Sequence, residues 1–290
     1  MTAVAADTGR RYVSHPIVTV TTYRRQQDSV RRPWQTALMT GYLDGSAPRA
    51  FAHRGWHVGE LAGLENTLAA FRRAVQEGYR YLETDVHATA DGEVIAFHDP
   101  RLDRVSDRTG VIAELPWTQV RRARIGGIEP IPLLAELLEE FPDARFNIDA
   151  KATSAVRPLA DLIRRTGAGD RVCVVSFSDR RLGELRSSVG TEVAWALGPR
   201  ETFRLFRSSA LRRGFRSTAV AVQVPVSYQR VPIVTPRFVA AAHAAGLEVH
   251  VWTIDDPDEM RRLLALGVDG VMTDRPELLR EVLIERGAWP

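Results

Sequence analysis

From Arg49 onward, short runs rich in Val, Ile and Phe alternate with longer amphipathic stretches, and nothing else in the sequence constrains the fold so strongly. Strands buried on both faces read as apolar runs, and crossover helices between them carry one apolar stripe, so the pattern is that of βαβ units around a parallel sheet. Strands are expected at 51–54, 81–87, 94–98, 146–150, 172–177, 193–197, 219–224 and 249–252, with a ninth short run at 270–273. Helices are expected at 67–76, 133–141, 156–166, 179–187, 200–213, 236–245 and 257–266. Asn66 and Asp179 stand where N-caps belong, and Gly78, Gly167 and Gly246 where C-terminal glycines belong.

The chain has 290 residues, 44% of them hydrophobic, so a single (β/α)8 TIM-type barrel would use nearly all of it. Two features make that barrel irregular. Nine runs are one too many, and only six residues separate the second from the third, too few for a crossover helix. Either one run lies outside the barrel or that corner departs from the rule. The stretch 101–132, with Gly110, Gly126, Gly127 and Pro130, reads as a loop-rich insertion near the site.

Residues 1–38 show no sustained period and are expected to form a mobile or peripheral N-terminal extension, leaving 39–290 as one barrel domain. Met39, just before the first strand, is a plausible true start of translation; natively expressed protein yielding peptides from 1–38 would refute that. Residues 1–50 hold seven Arg and three Asp, a local excess of +4 that leaves residues 51–290 at −1 despite the formal +3 of the whole. By charge the folded part is therefore not a nucleic-acid binder. Of 39 basic residues only Lys151 is a lysine, a bias of composition, and pairs such as Arg212 and Arg213 read as solvated surface. No apolar run is long enough for a transmembrane helix and no secretory signal is readable. The single cysteine, Cys173, sits in an apolar run as a packing residue, and a reducing cytoplasm fits it. The sequence leaves the oligomeric state open.

Glu83 and Asp85 are two apart on one strand, so both leave the same face and can converge on one hard cation such as Mg²⁺ or Ca²⁺. Asp149 and Lys151 repeat the spacing on another strand, adding a third carboxylate and a cationic donor. His53 and His98 close two further runs, at positions where catalytic groups of a barrel converge. Two histidines can supply the base and the acid that cleavage of a phosphodiester needs near neutral pH.

His53-Arg54-Gly55, Glu65-Asn66-Thr67, Glu83-Thr84-Asp85-Val86-His87, His98-Asp99, Val251-Trp252-Thr253, Asp269-Gly270 and Thr273-Asp274-Arg275-Pro276 follow one another in this order. From about Phe51 to Pro276 the chain thereby resembles the glycerophosphodiester phosphodiesterases. The resemblance implies a barrel that uses one divalent cation, Mg²⁺ or Ca²⁺, to hydrolyse a small-molecule glycerophosphodiester to glycerol 3-phosphate and an alcohol. It also implies Glu83 and Asp85 as metal ligands, with His53 and His98 as the acid/base pair and Arg54 and Lys151 on phosphate oxygens; Asp149 is expected to join the metal set directly, after a small shift, or through water. Glu65 either touches the metal or orients Arg54, and Trp252 walls the pocket. Asp269, Gly270 and Asp274 are assigned to closing the barrel, and His87 to solvent beyond its strand. One departure stands out: the family usually has Glu-x-Lys where this chain has Asp149-Ala150-Lys151. Barrel relatives that cleave sphingolipid head groups resemble that arrangement, so phospholipase D-like cleavage of lysophospholipid or sphingolipid is the alternative substrate class. A binding protein without turnover would be expected to have lost a histidine or carboxylate, and only the Glu-to-Asp change is present.

Overall fold

The structure is a computed structural model that describes residues 41–289; the N-terminal extension expected at 1–38 lies outside the described residues. The strands of its main sheet are β1 (Arg49–His53), β2 (Tyr81–Ala88), β3 (Val94–Ala96), β4 (Arg145–Ala150), β5 (Val172–Val175), β6 (Ala194–Trp195), β7 (Ala221–Val224), β8 (Glu248–Val251) and β9 (Gly270–Thr273). Its longer helices are α1 (Leu68–Gln76), α2 (Leu134–Glu140), α3 (Val156–Thr166), α4 (Asp179–Ser188), α5 (Pro199–Ala210), α6 (Pro236–Ala244), α7 (Pro257–Leu266) and α8 (Pro276–Glu285).

Eight strands pair in parallel in the order β6-β5-β4-β2-β1-β9-β8-β7. Leu197 N donates to Ala221 O at 2.9 Å and Val220 N to Trp195 O at 3.0 Å, which joins β7 back to β6 and closes the ring. The surplus run is β3. It pairs antiparallel with the end of β2, His87 against Ile95 and Val86 against Ala96, so the six-residue connection is a hairpin that leaves the barrel and returns. Among the described residues no helix is long and apolar enough to cross a membrane.

Alternation along the strands divides the apolar residues between two cores. Phe51, Tyr81, Cys173, Ala194, Ala221 and Met272 fill the barrel interior with Tyr42 and Leu43, while Ala52, Leu82, Ile148, Val174, Val222, Val249 and Val271 pack outward beneath the helices. The insertion builds a third cluster, in which Leu102, Ile112, Val120, Ile125 and Ile131 meet Leu64, Ile95 and Phe97. It is thus a small packed lobe rather than a set of loops.

Gly270 shows how tight the interior is: a Cβ there would lie 2.7 Å from His250 Cδ2 and 2.8 Å from Phe51 Cε2. Gly270→Ala should lower stability by about 1–3 kcal/mol through overpacking. Equal melting temperatures for the two proteins would show that the interior has slack.

Two caps differ from expectation. Thr67, not Asn66, caps α1, accepting from Ala70 N at 3.2 Å, and Ser178, not Asp179, caps α4, accepting from Arg181 N at 3.4 Å. Asn66 instead takes a left-handed backbone, φ 59°, and its side chain accepts from Thr84 Oγ1 at 2.8 Å. The helix α8 was not foreseen: its apolar stripe follows directly on the short β9 run, with Pro276 as its first residue.

Candidate active site

Period-two alternation and strand register assemble one mouth at the C-terminal ends of the strands. His53 on β1 lies level with Glu83 on β2, and Asp85 on β2 level with Asp149 on β4. Just past His53 the chain makes two left-handed residues in succession, Arg54 at φ 56° and Gly55 at φ 86°. A Cβ on Gly55 would meet Ala70 C and Cβ at 2.9 Å, so the glycine serves both the turn and the close approach of α1. The turn aims Arg54 back across the mouth and directs its N–H to Glu83 O at 3.0 Å.

The side chains form one continuous web. His53 Nδ1 donates to Asp274 Oδ1 at 2.6 Å, and its Nε2 stands 3.6 Å from Glu83 Oε2. Arg54 reaches Glu65 Oε1 at 3.1 Å through Nη1 and lies 3.0 Å from Asp85 Oδ2 through Nε. Lys151 Nζ is 2.8 Å from both Asp85 Oδ1 and Asp149 Oδ2. It also lies 5.6 Å from the centroid of Phe177, whose exposed ring meets Trp252 edge-on at 5.3 Å. His98 Nδ1 donates to Asp99 Oδ1 at 2.6 Å. The structure thus gathers all nine sequence-derived candidates, His53, His98, Arg54, Lys151, Trp252, Glu83, Asp85, Asp149 and Glu65, into one region.

His98 arrives by an unexpected route. It does not end a barrel strand; the descending β3 carries it back over the mouth, where Phe97 N donates to Asp85 O at 2.9 Å. His87, expected in solvent, is buried and donates from Nε2 to His98 O at 3.0 Å, bracing that return.

Burial and charge set the protonation of the mouth. Burial, reinforced by Asp85, pushes Glu83 up to about 7. Burial would also raise Asp85, but Lys151 and Arg54 outweigh it and hold its pKa below the usual value. Burial raises Asp149, with Lys151 only partly offsetting it. For His53 burial opposes the charged form, yet Glu83 and Asp274 prevail and its pKa is raised.

These groups bear on whether the residues suit a hard divalent cation. Among the described residues no three histidine, cysteine or carboxylate side chains converge as a preassembled ligand set, because Lys151 stands between Asp85 and Asp149. Yet Asp149 Oδ1 is buried with no partner among the described residues, Asp85 Oδ2 and Asp149 Oδ2 are met only by the ion pairs with Arg54 and Lys151, and Glu83 and Asp85 repel each other. Buried carboxylate oxygens gathered at one mouth are the donors such a cation takes. The residue set fits.

Four contributors were not picked out from sequence. Asp274, assigned to barrel closure, instead binds two histidines, His53 and, at 3.1 Å, His57 Nε2; burial opposes its ionisation but both rings hold its pKa far below the usual value. Asp269 keeps the structural role, accepting from Val249 N at 2.8 Å and pairing with His243 at 2.7 Å. Asp99 and Arg104 complete the surroundings of His98, Arg104 Nε lying 2.5 Å from Asp99 Oδ2. The Thr-Asp-Arg-Pro and His-Asp motifs were signals that could have flagged Asp274 and Asp99; for His57 and Arg104 there was none.

The glycerophosphoryl diester phosphodiesterase family matches residues 53–278. A Mycobacterium tuberculosis protein named "Probable glycerophosphodiester phosphodiesterase 2" is 41% identical over 266 residues, covering 85% of this chain and 98% of that one. A human lysophospholipase D is 25% identical over 277 residues, covering 80% and 85%. Among solved structures, a glycerophosphodiester phosphodiesterase from Agrobacterium tumefaciens superposes with a TM-score of 0.65 at 27% identity, covering 80% of this chain and 98% of that one.

Proposed function

The chain belongs to the glycerophosphoryl diester phosphodiesterase family and is an enzyme that hydrolyses glycerophosphodiesters to glycerol 3-phosphate and an alcohol; we propose that it does so by two-histidine proton transfer beside a carboxylate metal site. The observation that carries this reading is the pairing of each histidine's Nδ1 with a carboxylate, Asp274 for His53 and Asp99 for His98, both at 2.6 Å. A carboxylate accepts, so each ring carries its proton on Nδ1 and presents Nε2 to the substrate. One ring takes the proton of the attacking oxygen while the other gives one to the departing alkoxide. Arg54 and Lys151 offer donors to the non-bridging phosphate oxygens. Glu83, Asp85 and Asp149 would hold the divalent cation, Mg²⁺ or Ca²⁺. When bound it supplies Lewis-acid polarisation of the phosphoryl group and offsets its charge. Phe177 and Trp252 wall one side of the mouth and suit the alcohol moiety. The lone cysteine, buried within the barrel, is in keeping with the cytoplasmic setting proposed for the chain.

Purified protein should release glycerol 3-phosphate from glycerophosphocholine with Mg²⁺ or Ca²⁺, and chelation should cut the rate by at least about a hundred-fold. Undiminished turnover under chelator would remove the cation from the mechanism. Cleavage of lysophosphatidylcholine in place of glycerophosphocholine would favour the lysophospholipase D reading, which the exposed ring of Phe177 at the mouth supports as the second choice.

A further inference from the structure

Arg104 lies in the insertion, outside the motifs that carry the reaction, and its side chain is 45% exposed. An exposed arginine is ordinarily a solvated charge worth little. This one makes an uncommon set of contacts. Its Nη1 and Nη2 grip Glu65 as a fork, at 2.9 Å to Oε2 and 2.7 Å to Oε1, while its Nε lies 2.5 Å from Asp99 Oδ2. Each of those carboxylates has a second partner in the mouth: Glu65 binds Arg54, and Asp99 binds His98. One guanidinium therefore joins the phosphate-facing cation to the histidine across two carboxylates.

We propose that Arg104 is a positioning residue that holds Asp99, and through it His98, in register with the Glu65–Arg54 pair. The inference rests on the two-histidine reading. Packing supports it, because the buried cluster of the insertion contains Leu64, Phe97 and Leu102, immediate or near neighbours in sequence of Glu65, His98 and Arg104. The lobe thus delivers both carboxylates and the arginine that ties them from one small core. Asp99 sits between two donors, and without the arginine its carboxylate would be free to rotate on Cβ and carry the His98 ring with it. A fork to one carboxylate plus Nε to another requires a planar guanidinium, and an ammonium cannot reproduce it.

Arg104→Ala should lower kcat by about 10- to 100-fold with KM changed less than about three-fold, since its guanidinium is engaged by Glu65 and Asp99. Arg104→Lys should recover only part of the loss, and added guanidinium ion should restore activity to Arg104→Ala but not to wild type. Melting temperature should stay close to wild type, as expected for a half-exposed side chain. A second readout does not depend on turnover: the Nδ1 proton resonance of His98, assigned by its loss in His98→Ala, should shift or broaden in Arg104→Ala. A kcat within two-fold of wild type together with an unmoved His98 resonance would overturn the proposal. A wild type that cleaves no diester would count against the proposed reaction alone, and the His98 resonance would then decide the role of Arg104.

Discussion

His53→Ala is expected to lower kcat for glycerophosphodiester hydrolysis by about 10²- to 10⁴-fold, the usual contribution of a positioned acid or base, with little change in melting temperature. The ring is only partly buried and hangs at a strand end, so its loss leaves no large cavity in the core. What disappears is a proton donor and acceptor held at one orientation by Asp274 and facing Glu83. His98→Ala should fall by a similar factor, and the double variant should cost far less than the product of the two, because in the proposed scheme the rings act in one proton-transfer event. Asp274→Asn tests the orientation separately. An amide can present its N–H₂ to Nδ1 and favour the tautomer with the proton on Nε2, so kcat should drop by about 10- to 100-fold while KM holds. Stopped assays of glycerol 3-phosphate at saturating substrate would measure all four proteins. If His53→Ala and His98→Ala both keep a tenth or more of wild-type kcat, the two-histidine scheme fails and proton transfer must be sought elsewhere.

Much of this site could be read from the sequence because barrel chemistry follows period two. Once β1, β2 and β4 were placed, the inward positions named themselves: His53, then Glu83 and Asp85, then Asp149 and Lys151. What escaped was contact between residues far apart in the chain. His53 and Asp274 are separated by 221 positions, and only the closing of β9 against β1 brings them together. Without strand order, Asp274 could be placed at the barrel seam but not on a histidine. The excess of runs was legible, and six residues after β2 excluded a crossover helix, yet only the antiparallel pairing shows that β3 turns His98 back toward the mouth. Arg104 was illegible for another reason. In a chain whose cations are almost all arginine, no single arginine stands out by type. The caps went astray by one residue at Asn66 and Asp179 because several cap-competent residues were adjacent, and backbone angle decides among them.

At the opposite end of the barrel, Arg49→Ala is expected to cost about 3–5 kcal/mol, lowering the melting temperature by about 10 °C, through a buried pair that plays no part in the chemistry. Arg49 enters the floor from β1, where its Nε and Nη2 grip both oxygens of Glu248 at 2.9 and 2.8 Å and Nη2 also reaches Leu43 O at 3.0 Å. Glu248 in turn accepts from Nε2 of the fully buried His250 at 3.0 Å, and His250 Nδ1 faces Gln223 Nε2 at 3.4 Å. Gln223 continues the network by exchanging amide hydrogen bonds with Asn147. Truncating Arg49 strips Glu248 of its counter-charge in a place water hardly reaches, and the cost is that of an uncompensated buried carboxylate rather than of one lost contact. Burial by itself would raise Glu248, but the bonds from His250 and Arg49 outweigh it and bring it down to about 2. A carboxylate depressed in the folded state stabilises above its unfolded pKa, so this contribution, of order 3 kcal/mol, is complete above about pH 4.5 and is lost as pH falls toward 2. Wild type should therefore lose stability over that interval more steeply than Arg49→Ala, whose Glu248 is no longer held so low. Replacing both partners, Arg49→Met with Glu248→Leu, should recover only part of the loss, since it removes the unpaired charge but leaves the buried Nε2–H of His250 without its acceptor. Denaturant melts at pH 7 and pH 3.5 decide it: a single variant within about 1 kcal/mol of wild type at pH 7 would mean that water already enters the barrel floor and screens the pair.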